Sequence, residues 1–180
     1  MRLTPADTIL CVIDIQERLL AAMPHAAPVV EGAARLAGGA NLLGVRSLLT
    51  EQYPKGLGPT PPALAAILPP PLSKMAFSCC GCEAFMAVFD GESPRPQAAV
   101  LCGLETHVCI AQTALDLLAR GLNVFIVADA VTSRHAVDHE IALRRLEAAG
   151  VVVTTTEAVL FEWCRTAEHP QFQAVRKLVL

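Results

Sequence analysis

The chain alternates between continuous apolar runs and amphipathic helical patterns, and this alternation restricts its possible folds more than any other feature. The apolar runs span residues 8–14, 47–50, 98–103, 123–129 and 151–154. A run without polar alternation is typical of a strand buried on both faces of a sheet. Between the runs, apolar residues recur three and four positions apart, as at Ala111, Ala114, Leu115 and Leu118, before Gly121 ends the pattern. We therefore predict an α/β fold, a three-layer αβα sandwich around a mainly parallel central sheet.

The size and composition of the chain predict a single domain covering residues 1–180. Of its 180 residues, 53% are hydrophobic and 17% are charged, which is enough to bury a substantial core. The apolar runs are much shorter than the ~20 residues that cross a bilayer, and the N-terminal region lacks the pattern of an export signal. We therefore expect a cytoplasmic protein with no membrane partner. The net charge of −3 and the scattered basic residues argue against nucleic acid as a partner.

Seven cysteines, an odd number, lie at positions 11, 79, 80, 82, 102, 109 and 164. Several fall inside apolar runs, which is a poor framework for disulfide bonds. Cys79 and Cys82 form a C-x-x-C pair, but no second pair completes a structural zinc site, so we interpret them as buried or incidental thiols, with a redox pair as the alternative. His135 and His139 lack the glutamate of a zinc-protease helix. We expect no metal and no cofactor.

Cys109 lies where the apolar run at 98–103 passes into the helical pattern at 110–120. The backbone N–H groups at a helix start have no intrahelical partner, and the helix dipole is positive there. We therefore expect the thiol of Cys109 to ionise more easily than a free cysteine and to act as a nucleophile. The alternative is that Cys109 is a small, buried hydrophobic residue.

A nucleophilic thiol needs a base and a cation, and the sequence offers a candidate for each. Asp14 and Asp129 end apolar runs, so we expect both at the carboxyl edge of the sheet, where ligands bind in such folds. Asp14 is the candidate base, although a carboxylate there can also cap a turn. For Asp129 we favour a cap of the turn toward Ser133. Lys74 is the candidate cation, because it stands beside apolar residues and would need an anionic partner if buried.

Four segments of the chain stand out as motifs: residues 12–17 (VIDIQE), 74–78 (KMAFS), 103–109 (GLETHVC) and 127–134 (VADAVTSR). Together, in this order, they resemble the isochorismatase-like cysteine hydrolases. The resemblance implies a Rossmann-like αβα fold and an Asp-Lys-Cys triad, with Asp14 as general base, Lys74 as the cation that stabilises the thiolate and Cys109 as nucleophile. It also implies a cis peptide bond between Leu104 and Glu105. The backbone N–H groups of Glu105 and Cys109 would form the oxyanion hole.

The sequence differs from two groups of this superfamily, and these differences restrict the reaction that we expect. Zinc-containing nicotinamidases carry paired histidines soon after the second strand, but residues 50–58 read TEQYPKGLG. True isochorismatases lack the nucleophilic cysteine. The segments 51–60, 157–162 and 169–172 look most like the isochorismatase-domain-containing branch, whose substrate is unassigned. We therefore expect a cysteine-dependent hydrolase that cleaves a small amide or related C–N substrate through an acyl-enzyme on Cys109.

Three further residues are candidate substrate contacts. Gln16 follows the base, Tyr53 lies in the segment 51–60, and His107 stands two residues before the nucleophile; its side chain can alternatively point away from the pocket. The expected partners are a small-molecule substrate and further copies of the chain in a homo-oligomer, with the apolar segment 172–180 as a packing element. The alternatives to the proposed enzyme are a catalytically silent scaffold or binding protein of the same fold and an isochorismatase-type hydrolase of another small substrate.

Overall fold

The computed structural model describes residues 2–91 and 95–180, which form a parallel sheet covered by helices on both sides. The strands are β1 Thr8–Ile13, β2 Arg46–Gln52, β3 Leu72–Lys74, β4 Ala98–Leu104, β5 Asn123–Thr132 and β6 Val152–Thr154. The helices are α1 Glu17–Ala21, α2 Ala26–Leu43, α3 Pro54–Leu57, α4 Pro62–Ala65, α5 Glu83–Asp90, α6 Ala111–Ala119, α7 Ala136–Ala148, α8 Thr156–Cys164 and α9 Phe172–Val179. Short 3₁₀ turns occur at Pro5–Asp7 and Cys79–Gly81, and a π-helical turn at Thr106–Ile110.

The strand order is β3-β2-β1-β4-β5-β6, and every paired strand runs parallel to its neighbour. The predicted three-layer αβα sandwich is therefore confirmed. The chain moves outward in one direction from β1 through β2 to β3, and in the other from β4 to β6. In open parallel sheets, the crevice beyond the carboxyl ends of the two central strands is the usual ligand site. Here that crevice lies at the ends of β1 and β4.

The side chains of β1 explain why its sequence is apolar throughout. Leu10 and Val12 point into a core formed with α2, α8 and α9, whereas Ile9, Cys11 and Ile13 point into a second core formed with α5, α6 and α7. Burial on both faces removes the polar alternation that a half-exposed strand would show. The two cores fix β1 from both sides and so fix the position of the residue that follows it.

Two details of the sheet differ from the sequence prediction. Strand β3 was not predicted, because it has three residues and pairs only with the end of β2. Strand β5 does not end at Asp129 but continues to Thr132 through an irregularity in its pairing with β4. Asp129 therefore lies within the strand, and its carboxylate accepts a hydrogen bond of 2.8 Å from the backbone N–H of Thr156 at the start of α8. The predicted cap toward Ser133 is wrong.

Helix α9 lies in the segment 172–180, which was predicted to be a packing element, and it packs within the chain. Its residue Val175 is buried in the core with α2 and α8, and Phe172 packs on Phe161 with 6.3 Å between the ring centres. Most apolar residues of this segment thus pack on the core of the chain, whereas Leu180 at its end is exposed. No helix within residues 2–91 and 95–180 combines the length and apolar character needed to cross a bilayer.

Candidate active site

Asp14 leaves the end of β1 in a left-handed backbone conformation, with φ of 53°. Its backbone N–H donates to the carbonyl of Thr50 at 3.1 Å, and the Thr50 hydroxyl donates to its Oδ1 at 2.8 Å. The side chain is completely buried. A non-glycine residue in this region of φ is uncommon and is held here by the neighbouring strand. The carboxylate is thereby turned toward the ends of β2 and β3.

Lys74 is the last residue of β3, and its ammonium forms a buried ion pair with Asp14. Its Nζ lies 2.6 Å from Oδ2 of Asp14, and only 4% of the residue is exposed. Burial alone would lower the pKa of Lys74, but the charge of Asp14 and smaller effects of Cys79 and Cys109 outweigh it and raise the pKa. Lys74 is thus a permanent cation at neutral pH.

Cys109 lies in the π-helical turn that follows β4, in the core between the sheet and α6. Burial raises the pKa of its thiol well above the ordinary value, the negative charge of Asp14 raises it further, and the charge of Lys74 lowers it. The prediction of an easily ionised thiol is therefore wrong, because burial and a nearby carboxylate outweigh the favourable position near a helix start. The resting thiol keeps its proton and needs a base to remove it.

The turn before Cys109 begins with a close approach of β4 to β1. Gly103 has φ of 121°, and a Cβ at this position would collide with the carbonyl of Ile13. Glycine is required there for both reasons. The next peptide bond, between Leu104 and Glu105, is cis.

Side chains of the connection between β5 and α7 and of the first turn of α7 hold residues 105–107 in place. The carboxylate of Glu105 accepts hydrogen bonds from the backbone N–H and the Nε of Arg134, at 3.0 and 3.2 Å. Thr106 Oγ1 lies 2.9 Å from Nδ1 of His139. We call Ser133, Arg134 and His139 the β5–α7 clamp. It fixes the segment that contains Glu105, one of the two residues whose N–H groups were predicted to form the oxyanion hole.

His107, a candidate substrate contact, is the third residue held by the clamp. Its Nδ1 lies 2.9 Å from the hydroxyl of Ser133, and its Nε2 lies 3.9 Å from a carboxylate oxygen of Asp138. One ring nitrogen therefore faces a hydroxyl of the β5–α7 connection, and the other faces a carboxylate of α7. These two contacts orient the His107 ring.

The other two candidate contacts occupy different environments. Gln16 is buried, and its amide donates to the carbonyls of Gln52 and Gly58 and accepts from the N–H of Gln52. Tyr53 is half exposed, with φ of 37° and its ring against Gly56. Gln16 thus has its amide engaged by backbone, whereas Tyr53 presents its ring to solvent.

Sequence reasoning missed two residues that contact the Asp14–Lys74 pair. Thr50 donates to Asp14, and Oε1 of Gln52 accepts from the Lys74 ammonium at 2.8 Å. Both lie in β2 beyond the apolar pair Leu48 and Leu49, where the strand becomes polar. A polar strand end at the carboxyl edge of a parallel sheet was the signal that could have identified them.

The remaining cysteines do not pair. All seven lie in the described ranges and are free thiols. Cys79 is buried, with Thr50 Oγ1 3.8 Å from its sulfur, and burial raises its pKa to about 12. Cys80 and Cys82 are partly exposed. Within residues 2–91 and 95–180, no three His, Cys, Asp or Glu side chains are grouped so that they could hold a metal ion.

Comparison with known proteins identifies similar chains. The sequence model described as the isochorismatase domain matches residues 8–158. Isochorismatase domain-containing protein 2A of Mus musculus is 43% identical over 178 residues, 99% of this chain and 85% of the mouse protein. The structure of MAR1 ribonuclease from Caenorhabditis elegans matches with a TM-score of 0.94 and 37% identity, covering 99% of this chain and 92% of that one. The YcaC gene product of Escherichia coli, an octameric hydrolase of unknown specificity, shares the fold at 23% identity and a TM-score of 0.86, covering 99% and 95%.

Proposed function

This chain belongs to the isochorismatase domain family, and we propose that it is a cysteine hydrolase that cleaves the C–N bond of a small amide through an acyl intermediate on Cys109. The observation that carries the proposal is the burial of an aspartate, a lysine and a thiol together at the carboxyl edge of the sheet, beyond β1, at the end of β3 and beyond β4. An ion pair of this kind is costly to bury and weak as a source of stability. We therefore assign the Asp14–Lys74 pair a role in catalysis rather than in stability.

In the first step, Asp14 takes the proton of the Cys109 thiol while the sulfur attacks the carbonyl carbon of the amide. The raised pKa of Cys109 makes a base necessary, and the nearby carboxylate is the base at hand. The carbonyl oxygen becomes an oxyanion, which accepts hydrogen bonds from the backbone N–H groups of Glu105 and Cys109. Lys74 compensates the negative charge as the sulfur becomes anionic.

In the second step, the tetrahedral intermediate collapses and the C–N bond breaks. The proton held by Asp14 passes to the leaving nitrogen, which departs as an amine or ammonia. Cys109 is left as a thioester. Asp14, again a carboxylate, removes a proton from water while the water oxygen attacks the thioester carbon. The C–S bond then breaks, the acid product leaves, and the proton held by Asp14 returns to the sulfur of Cys109, which restores the thiol.

Exposed apolar side chains lie on the segments that adjoin the buried pair, which supports a substrate with an apolar part. The exposed fractions are 48% for Tyr53, 71% for Met75 and 54% for Phe77. The carbonyl of Met75 accepts from the side chain of Gln52, and that of Phe77 accepts from Lys74, so these residues adjoin the buried pair. We assign substrate contact to this apolar rim (Tyr53, Met75 and Phe77). Gln16, engaged by backbone, acts by positioning.

Turnover of a panel of small amides by wild-type protein and by Cys109→Ala tests the proposal. We expect hydrolysis by the wild type and a loss of at least ~10³-fold in Cys109→Ala, because removal of a nucleophile abolishes the covalent route. Cys80→Ala, which removes a partly exposed thiol, is the matched control and should keep full turnover. Wild-type protein inactive on the whole panel would favour a catalytically silent scaffold or binding protein.

RNA cleavage is a second candidate, because the C. elegans protein to which this chain is similar is named a ribonuclease. A single-stranded RNA therefore belongs in the panel. RNA cleavage by the wild type that Cys109→Ala abolishes, without any amide hydrolysis, would favour this candidate over the amide hydrolase.

We also propose that copies of the chain associate into a homo-oligomer. Val137 and Ile141 lie one turn apart on α7 and are 63% and 51% exposed, which leaves an apolar stripe on this helix. Light scattering should give a mass of several chains, and Val137→Glu should reduce it. A monomer mass for the wild type would contradict the proposal.

A further inference from the structure

The ammonium of Lys74 has more protein acceptors than it has protons. Oδ2 of Asp14 lies 2.6 Å from Nζ, Oε1 of Gln52 lies at 2.8 Å, and the carbonyl oxygens of Phe77 and Ala76 lie at 3.1 and 3.3 Å. An ammonium has three N–H groups. All three are therefore directed at the protein, and none is left for a substrate or for the sulfur of Cys109. Lys74 acts on the site by its charge and not by donating a proton.

Among these acceptors, Gln52 is the uncharged side chain that fixes the ammonium opposite Asp14. The register of β2 and β3 pairs Gln52 directly with Lys74. The amide orientation follows from chemistry: its oxygen must face the ammonium, and its Nε2 donates 2.7 Å to the carbonyl of Met75. The same amide thus holds both Lys74 and the loop whose carbonyls complete the ammonium's surroundings.

Gln16 in turn fixes the backbone of Gln52. The Gln16 amide accepts from the N–H of Gln52 at 2.8 Å and donates to its carbonyl at 3.1 Å. Gln16 stands two residues after Asp14, so the same short segment carries the base and the group that anchors Gln52. The distance between carboxylate and ammonium is therefore set by a connected network of buried hydrogen bonds, whose parts reinforce each other.

We propose that Gln52 is a positioning residue that holds the Lys74 ammonium at a fixed place beside Asp14 and Cys109, so that the positive charge stabilises the thiolate during the reaction. The proposal rests on the proposed function in one respect only, the expected effect on turnover. The effect on the ionisation of Cys109 can be measured without any substrate.

Two near-isosteric variants test the proposal. Gln52→Glu places a second anion against Lys74, which lowers the positive potential at Cys109. We expect alkylation of Cys109 by iodoacetamide to slow about tenfold at a given pH between about pH 7 and pH 9, equivalent to a rise of about one unit in the pKa of the thiol. Gln52→Met removes the acceptor, and we expect kcat on an amide substrate to fall about tenfold with KM changed by less than about twofold, since only the reacting state needs the fixed charge.

The alkylation rate is read from the Cys109 peptide by mass spectrometry, relative to the Cys80 peptide of the same sample. Thr60→Val is the matched control, because it removes a buried hydrogen bond to Glu51, the neighbour of Gln52 in β2, without touching Lys74. We expect it to leave the alkylation ratio unchanged.

Each outcome decides the proposal. A Cys109 to Cys80 alkylation ratio in Gln52→Glu within about twofold of wild type would overturn it, as would an equal shift in Thr60→Val. If Gln52→Glu does not fold, an unchanged kcat in Gln52→Met overturns it, and failure of both variants to fold assigns Gln52 to the scaffold alone. If the wild type hydrolyses no amide, the proposed function fails while the alkylation result still tests the role of Gln52.

Discussion

The Nζ of Lys74 lies 2.6 Å from the Oδ2 of Asp14, and both side chains are closed off from solvent. Asp14 directly follows β1 and Lys74 ends β3, and these two strands are separated in the sheet by β2. Their contact depends on the left-handed turn at Asp14, which carries its carboxylate across the end of β2. The pair therefore ties the ends of three strands together beside Cys109.

Asp14→Asn should separate the nucleophilicity of the thiol from catalysis. The carboxylate raises the pKa of Cys109, so its removal lowers that pKa and increases the thiolate fraction at any given pH below it. We expect faster alkylation of Cys109 but a loss of on the order of 10²-fold or more in amide hydrolysis, because the base is gone. Peptide-resolved alkylation and turnover measure the two effects. Slower alkylation in Asp14→Asn would contradict the assigned electrostatics.

Lys74→Met should destabilise the protein, because it leaves the buried carboxylate of Asp14 without its cation. Breaking a buried pair in this way typically costs about 3–5 kcal/mol. The double variant Asp14→Asn with Lys74→Met removes both charges, and we expect it to be more stable than Lys74→Met alone. Urea unfolding of the four proteins gives the coupling free energy. Strictly additive losses would show that the ion pair contributes no coupling.

Arg134→Ala should lower kcat, because Arg134 holds Glu105, whose backbone N–H is one of the two proposed oxyanion donors. It removes the side-chain half of the contact with Glu105 but leaves the backbone hydrogen bond, so we expect a fall of about tenfold, less than the 10² or more for outright loss of an oxyanion donor. Arg144→Ala is the control, because Arg144 forms only an exposed ion pair with Glu140 on α7. Equal kcat values for the two variants would show that the β5–α7 clamp does not contribute to turnover.

The apolar rim should determine substrate binding. Phe77→Ala or Tyr53→Ala removes an exposed ring, and we expect KM for an amide with an apolar acyl group to rise several-fold, on the order of 1 kcal/mol of lost burial, with kcat nearly unchanged. Ile67→Ala, also partly exposed but outside the rim, serves as control. A kcat effect without a KM effect would contradict the assignment.

Alkaline pH should destabilise the fold through its buried thiols. The folded-state pKa values of Cys11, Cys79 and Cys102 are raised above their ordinary value of 9.0, mainly by burial. Above that value the unfolded chain loses these protons while the folded chain keeps them, so the free energy of unfolding falls as the pH rises. Urea unfolding at pH values below and above 9 measures the loss. Cys102→Ala, which removes one such thiol, should show a smaller loss, and an equal or larger one would contradict this explanation.

The parts of the fold that the sequence predicted are those fixed by burial on both faces or along one face. The run at 8–14 predicted β1 Thr8–Ile13, and the pattern from Ala111 to Leu118 predicted α6 Ala111–Ala119. The family was also predicted, from four segments whose order along the chain is characteristic. Apolar patterns and motifs are properties of the sequence itself, so they can be recognised without the structure.

What the sequence could not predict depends on contacts between distant segments. Strand β3 exists because three residues pair with β2, and only Leu72 among them is apolar. The direction of the Cys109 pKa shift depends on how deeply the turn is buried and on Asp14, ninety-five positions earlier in the chain. Gln52 looks like an ordinary polar loop residue until its register with Lys74 is known. The roles of Asp14, Lys74 and Cys109 stay predictions.

The most direct test of the central claim is the mass of the Cys109 peptide after rapid acid quench of the protein during turnover of an amide. We predict a mass increase equal to that of the substrate's acyl group, located on Cys109, decaying as substrate is exhausted and absent from Cys109→Ala. Undiminished hydrolysis by Cys109→Ala, or an acyl group found only on another residue, would contradict the account.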